Sequence, residues 1–146
     1  MPDPTKSFDA QNAAETAAKA MWRDDRCSPA LGMELLEVRP GFGRVRMRVR
    51  EDMVNGHGTA HGGMIFTLAD SAFAVAANSR GRRAVAASGA IDFLSPALLG
   101  DVLTATATEQ SLEGRTGLYE VRVENQDGEP VALFRGKSAQ LRGSWT

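Results

Sequence analysis

The sequence predicts an α+β fold in which an antiparallel sheet of five to six strands wraps around one long central helix, with a further helix at the N-terminus. Three observations carry that reading. The hydrophobic period changes from helical to alternating after Gly32. Beyond that point only one segment, Met64 to about Ser79, is apolar and long enough for a buried helix. The remaining segments alternate and are joined by tight-turn residues. Each strand of an antiparallel sheet buries one face, so the single apolar helix must be its cover.

The elements follow in order. Residues 8–25 place Phe8, Ala14, Ala17, Ala18, Met21 and Trp22 at helical spacing, predicting an amphipathic helix capped by Ser7 or Asp9 and ended near Cys27-Ser28-Pro29. "MELLEVRPGFGRVRMRVRED" reads as two strands joined by a turn at Pro40-Gly41-Phe42-Gly43. In the second, Val45, Met47 and Val49 face one way and Arg44, Arg46, Arg48 and Arg50 the other. That arginine row is either a phosphate-binding patch or, the simpler reading, a solvated face with acidic neighbours. The glycine-rich loop "NGHGTAHGG" then leads into the apolar helix. "AVAASGAIDFL" is a strand of small residues followed by a turn at "SPALLGD". "VLTATATEQSL" and "GLYEVRVENQ" are two more strands, Asp127-Gly128 marks a hairpin, and "PVALFRGKSAQLRG" is the last strand. No repeat or linker interrupts the chain, which predicts a single domain over 1–146 with 1–27 as its N-terminal helical segment. One sheet and one helix leave strand edges and apolar surface uncovered, which predicts a homodimer.

Composition narrows the function. A chain of 146 residues can bury about two-thirds of its unfolded surface. Its 42% hydrophobic and 24% charged content is that of a soluble globular protein. Seventeen basic against eighteen acidic residues argue against a nucleic-acid platform. Cys27 is the only cysteine, which excludes an intrachain disulfide and a cysteine-based zinc cluster. The N-terminus has no basic segment followed by an apolar one, and Met64–Ala77 is too short and too interrupted to span a bilayer. A soluble cytoplasmic protein with no membrane partner is expected.

The interruption is Asp70. It sits two turns into the apolar helix, with Phe66, Thr67, Phe73 and Ala74 on its side. An unpaired ionised carboxylate there costs several kcal/mol or has its pKa raised. Either Asp70 pairs with a hydroxyl such as Ser71 or Ser88, or it faces a wet subunit boundary, or it is used in chemistry. Gly62 and Gly63, at the helix start, offer unpaired N–H groups at the positive end of the helix dipole, where a developing oxyanion can be held. A carboxylate and an oxyanion turn are two parts of an acyl-transfer or hydrolysis site. A thioester suits so spare a set, because a thiol of pKa about 8.5 departs without a general acid.

Other chemistries fit less well. His57 and His61 have the spacing of two helix-borne metal ligands, but the surrounding glycines argue against a helix and no third ligand stands nearby. No metal site is expected. "GHGTAHGG" lacks the lysine of a phosphate-binding P-loop, and no G-x-S-x-G is present.

"MVNGHGTAHGGMIFTLADSAFAVAANS", "ASGAIDFLSPALLGDVLTATA" and "NQDGEPVALFRG" together resemble the hotdog-fold acyl-CoA thioesterases of the phenylacetic-acid-degradation (PaaI) type, over about residues 28–142. The N-G-x-G-x-x-H-G-G loop and the L-A-D helix motif are its specific parts. The resemblance implies that Asp70 acts as nucleophile or general base, and that the Gly62 N–H polarises the thioester carbonyl. It implies that Asn55 orients the acid or water, that His61 shapes the loop, and that Ser88 helps to hold the attacking water. The site would form at a dimer interface, Asp70 of one subunit facing the glycine turn of the other, with two dimers pairing as a homotetramer. Blander roles stay open: His61 bracing the loop, Asn55 serving as a turn residue with a left-handed backbone, Ser88 packing, and Gly62 allowing a tight turn. Gly63, Arg80, Arg82, Arg83 and Lys137 are candidates for contact with the substrate and its coenzyme A phosphates, against a merely solvated basic loop. Met64, Phe66, Phe73 and Phe93 are either pocket or core.

The implied substrate is an acyl-CoA, aryl- or arylacetyl-CoA in particular, with no resident cofactor because coenzyme A is part of the substrate. Two alternatives remain. A hotdog-fold dehydratase or hydratase usually carries His-Phe-Pro or Asp-x4-His, and neither occurs here. A non-catalytic acyl-CoA binding module could dispense with Asp70.

Overall fold

Alternation of side chains, broken at a few bulges, builds the sheet. In the computed structural model, which describes residues 3–145, six strands form one antiparallel sheet. They are β1 (Glu34–Arg39), β2 (Phe42–Arg48), β3 (Arg82–Phe93), β4 (Val102–Glu113), β5 (Thr116–Glu124) and β6 (Pro130–Ser144), in the spatial order β1-β2-β4-β5-β6-β3. Val45, Met47 and Val49 are buried as their alternation predicts. On the other face Arg44 pairs with Glu37 at 3.1 Å, Arg46 with Glu34 at 2.7 Å and Arg50 with Asp52 at 3.0 Å, so three of the four arginines have the acidic neighbours of the simpler reading.

Helix α3 (Gly62–Asn78) lies across the inner face and buries Ile65, Leu68, Ala69, Ala72, Phe73, Val75 and Ala76 against the sheet. It starts at Gly62, just ahead of the predicted Gly63–Met64. Aromatic rings fill the core between helix and sheet. Phe73 meets Tyr119 and Phe134 at centroid distances of 5.3 and 5.7 Å, and Phe66 meets Phe134 edge-on at 5.2 Å. Gly136 lies under two of these rings, where a Cβ would come within 2.8 Å of Phe134 and 2.9 Å of Phe73.

The N-terminal helices depart from expectation in detail. Helix α1 (Pro4–Asp24) begins earlier than predicted, because Pro4 suits the first helical position and the Asp3 carboxylate caps it by accepting from Thr5 N at 2.9 Å. Ser7 and Asp9 are therefore not the cap. Phe8, placed by spacing on the apolar stripe, is 67% exposed. Contact with the sheet starts later, where Gln11 Nε2 donates to Val38 O and Ala14, Ala17 and Ala18 are buried. The short helix α2 (Cys27–Ala30) follows. The β1–β2 turn is tighter than predicted, with β2 already begun at Phe42. The Asp127-Gly128 hairpin forms as read, with Gly128 N donating to Asn125 O and Asn125 N to Glu129 O.

Strand β3 forms one edge of the sheet, hydrogen-bonded to β6 alone, with a bulge between Ala86 and Ser88. Val85, Phe93 and Leu94 are exposed along and just past it. Among the described residues no helix is long and apolar enough to cross a membrane.

Candidate active site

The glycine-rich loop owes its shape to Asn55. Its Oδ1 accepts from His57 N at 2.9 Å, Thr59 N at 3.2 Å and Thr59 Oγ1 at 3.3 Å. Asn55 is thus a turn builder, though not through a left-handed backbone: positive φ angles occur only at glycines, here Gly58. Two bonds pin the far end of the loop, His61 N to Met53 O and Ala60 N to Ala97 O, both 2.8 Å. His61 occupies the N-cap of α3 with an exposed side chain that makes no cap bond, while its carbonyl accepts from Met64 N.

Gly62 and Gly63 open the helix, and neither N–H has an acceptor among the described residues. Neither glycine has a positive φ, so a tight turn is not what requires them. At Gly62 an added Cβ would lie 2.8 Å from the outer end of the Phe93 ring. At Gly63, apart from its chain neighbours and the helix's own backbone, no atom of a described residue lies within 4 Å of that position.

Asp70 lies farther along α3, half-buried, and no described residue donates a hydrogen bond to it. The pairing with Ser71 or Ser88 does not occur. Ser71 Oγ instead meets Ser28 Oγ at 2.8 Å, and Ser28 Oγ donates to Asp25 Oδ2 at 2.6 Å. Ser28 N donates to the other Asp25 oxygen at 2.9 Å. Burial pushes the Asp70 carboxyl above its ordinary range, and the negative charge of Asp25 adds to the rise. Asp70 and Asp25 share a cleft of about 350 Å³ with Met21, Trp22, Ala74 and Trp145. A carboxylate that nothing neutralises, raised in pKa and open to a cleft, can take a proton from water or attack a carbonyl.

The other predicted residues stand apart from this cleft. Gly89 faces Phe66 and Phe134, so its neighbour Ser88 turns to the opposite face of β3. Ser88 pairs in register with Lys137, and both line a separate hollow of about 480 Å³ with Arg135, Leu118 and Glu120. Lys137 is exposed and has no partner among the described residues. Arg80 does have one: it grips Glu109 with two nitrogens at 3.2 and 2.7 Å, and Tyr119 OH donates to the same carboxylate at 3.1 Å. That engagement ties the end of α3 to β4 and withdraws Arg80 from the phosphate candidates. Arg83 stacks on the Trp145 ring at 4.1 Å, while Arg82 is exposed. Sequence reasoning missed Asp25 and Trp145, which tertiary packing alone brings into the cleft with Asp70, and Ser28, which bonds Asp25 and Ser71.

Comparison with known proteins matches the sequence and the fold to a family. The thioesterase superfamily model matches residues 57–132, a stretch that contains His61, Gly62, Asp70 and Ser88 but not Asn55 or Lys137. The chain is 47% identical over 129 residues to the acyl-coenzyme A thioesterase PaaI of Escherichia coli strain K12, covering 88% of this chain and 92% of that protein. The solved structure of the E. coli PaaI protein from the phenylacetic acid degradation operon superposes with a TM-score of 0.91 at 45% identity, covering 92% of this chain and 98% of that one. A Streptococcus mutans protein solved with acetyl-CoA bound is similar at a TM-score of 0.73 and 28% identity, covering 77% of this chain and 90% of that one. The chain belongs to the thioesterase superfamily, among the hotdog-fold thioesterases of the PaaI type.

Proposed function

We propose that this enzyme hydrolyses acyl-CoA thioesters, aryl- or arylacetyl-CoA in particular, to the free acid and coenzyme A. The observation that carries the reading is the Asp70 carboxylate, left without a hydrogen-bond partner on the open side of α3 in a chain 47% identical to an acyl-coenzyme A thioesterase.

In the general-base route Asp70 takes a proton from water as its oxygen attacks the thioester carbonyl. The carbonyl oxygen gains the negative charge and is held by the Gly62 N–H at the positive end of α3. Collapse of the tetrahedral species breaks the C–S bond, coenzyme A leaves as thiolate, and the proton on Asp70 returns to it or to solvent. In the nucleophilic route a carboxylate oxygen of Asp70 attacks the carbonyl first and the C–S bond breaks, releasing coenzyme A as thiolate and leaving a mixed anhydride. Water then hydrolyses the anhydride to the free acid and the Asp70 carboxylate. Either route needs both groups at one carbonyl.

A second copy of the chain supplies the missing half. Thr67, Asp70, Ser71 and Ala74 form a partly uncovered stripe of α3, and β3 is a free sheet edge flanked by exposed Val85, Phe93 and Leu94. Gly63, in the first turn of α3, has open space at its Cβ position beyond its chain neighbours and the helix's own backbone, which suits a site where substrate or partner comes close. In the homodimer the Gly62 turn of one subunit meets Asp70 of the other, and two such dimers pair. Asn55 and His61 shape the turn, and Arg82 and Lys137, both exposed, receive the coenzyme A phosphates. Coenzyme A enters with the substrate, so the proposed reaction invokes no resident cofactor.

The test is thiol release from phenylacetyl-CoA by purified protein. Asp70→Asn is expected to lower kcat by about 10²- to 10⁴-fold while the variant keeps its circular dichroism spectrum. A variant that turns over at the wild-type rate removes Asp70 from the mechanism.

A further inference from the structure

The cleft beside Asp70 has an unusual composition. Both tryptophans of the chain line it, Trp22 from α1 and Trp145 from beyond β6. Trp145 is held in place at three points. Its indole Nε1–H donates to Asn78 Oδ1 at 2.8 Å, its backbone N donates to Gly81 O at 2.9 Å, and the Arg83 guanidinium stacks on its ring. Asn78 is itself buried and anchored, its Nδ2 donating to Ala74 O and Ala84 O. Trp145 is therefore an ordered wall, and Met21 and Ala74 complete an apolar lining.

Charge at the cleft has one sign. Asp24, Asp25 and Asp70 line it; among the described residues no lysine, arginine or histidine does, the Arg83 guanidinium lying against the Trp145 ring without lining the cleft. Asp24 is exposed and paired with Arg23 at 3.3 Å, so its charge is partly offset. The carboxylate of Asp25 is held by Ser28 N and Ser28 Oγ and forms no ion pair among the described residues. An anionic group entering here meets Asp25 and Asp70 together, which excludes the phosphate end of coenzyme A and leaves the acyl end.

We propose that this cleft is the acyl subsite, with Trp22 and Trp145 as walls that select a planar apolar acyl group and Asp25 as the residue that rejects acyl groups ending in a carboxylate. The inference rests on Asp70 being the group that acts on the thioester. With the carbonyl at Asp70, the acyl group extends between the two indoles, where ring faces and edges give stacked or edge-on contacts. The cleft volume of about 350 Å³ falls in the range of small-ligand sites. A carboxylate at the far end of a succinyl or malonyl group lies within reach of Asp25 and is repelled, a discrimination built on a repulsive element.

The experiment compares kcat/KM for phenylacetyl-CoA, acetyl-CoA and succinyl-CoA in the full-length protein. Trp145→Ala and Trp22→Ala are each expected to lower the phenylacetyl-to-acetyl ratio about tenfold, and Asp25→Asn to raise the succinyl-to-phenylacetyl ratio about tenfold. Unchanged ratios overturn the proposal. Wild-type protein gives a second readout independent of whether the variants fold. Its two tryptophans both sit in the cleft, so the phenacyl thioether of coenzyme A, which cannot be hydrolysed, is expected to change tryptophan emission saturably at its inhibition constant. Coenzyme A alone is expected to leave emission unchanged. Competitive inhibition by the thioether with no change in emission overturns the subsite. Failure of Asp70→Asn to lose activity instead sinks the catalytic reading, and the emission titration still reports whether the cleft takes the ring.

Discussion

Gly62 and Asp70 ride on one helix, just over two turns apart, which separates them by about 12 Å at ~1.5 Å per residue. A thioester carbonyl cannot touch both within one chain. If the two groups act together they come from different subunits, and that has a consequence for mixtures. Gly62→Pro deletes the N–H while placing proline at the first helical position, where it fits. His61 already has the extended backbone that a residue before proline adopts, with ψ 137°. The Phe93 ring that a new Cβ would meet is 52% exposed and can swing aside. Gly62→Pro and Asp70→Asn are each expected to be nearly inactive alone. Unfolded together and refolded, they should recover about one quarter of wild-type activity, since random pairing makes half the dimers mixed and each has one intact site. No recovery in refolded, dimeric mixtures would place both groups of the site within one subunit.

The raised pKa of Asp70 carries a stability prediction as well as a kinetic one. Between the ordinary value of 3.8 and the raised folded value, the native state binds a proton that the unfolded state has released. Stability contributed by the protonated acid is therefore present below the ordinary value and is lost as pH rises through the folded one. At neutral pH Asp70 burdens the fold, and Asp70→Asn should raise Tm while abolishing turnover. The acid limb of kcat/KM should lie above the ordinary carboxylate range. In Asp25→Asn, where the second charge is gone, that limb should move to lower pH. A Tm that falls on Asp70→Asn near pH 7 would mean that the carboxylate is stabilised by a partner.

Arg80 and Lys137 are both basic and partly exposed, yet they should respond oppositely. Arg80 holds the Glu109 carboxyl below its usual range, and Tyr119, pushed up to about 12 by burial and by Glu109, donates to the same carboxylate. Arg80→Ala should leave KM for phenylacetyl-CoA unchanged and cost about 1 kcal/mol of stability, the upper end for an exposed pair. Because the Glu109 pKa is lowered in the folded state, that contribution is present above its unfolded pKa and fades as pH falls through the folded one. The cost of Arg80→Ala should therefore shrink in acid. Lys137→Ala should leave Tm alone and raise KM about fivefold, the loss of one phosphate contact worth ~1 kcal/mol. Urea melts and Michaelis profiles on the two variants separate the roles.

The fold was legible because its signals are local. Val45, Met47 and Val49 declare their face by alternation alone, and α3 is apolar enough to leave only one role for it. Asp70 was legible as an anomaly of polarity within that helix. What the sequence hid depends on contacts between distant segments. Nothing in "WRDDRCS" says that Asp25 will come to rest beside Asp70, and nothing near the C-terminus says that Trp145 will dock on Asn78. The commitment of Arg80 to Glu109 was equally invisible, because a basic loop reads the same whether its arginines face phosphate, solvent or a strand. Gly62 was singled out as a turn glycine, yet its φ is not positive, and what lies against its open side is the Phe93 ring from β3, a contact that no local signal announces.

Phe134 tests how the core supports the site. Its ring meets Phe73 and Phe66 on α3 and shields the glycine position at Gly136, so it links the helix that carries Asp70 to the strand beside edge strand β3. Phe134→Ala leaves a cavity under the middle of α3, and buried phenylalanine truncations of this kind cost about 3–5 kcal/mol. Urea denaturation should show that loss. Phe134→Leu, which keeps most of the volume, should cost about 1.5 kcal/mol or less. Because Phe66 sits one turn before Asp70 and loses its edge-on partner, kcat in Phe134→Leu should fall before KM does, measured at a temperature where the variant is fully folded. Equal stability of Phe134→Ala and wild type would mean that the helix and the β6–β3 edge are held together by contacts other than these rings.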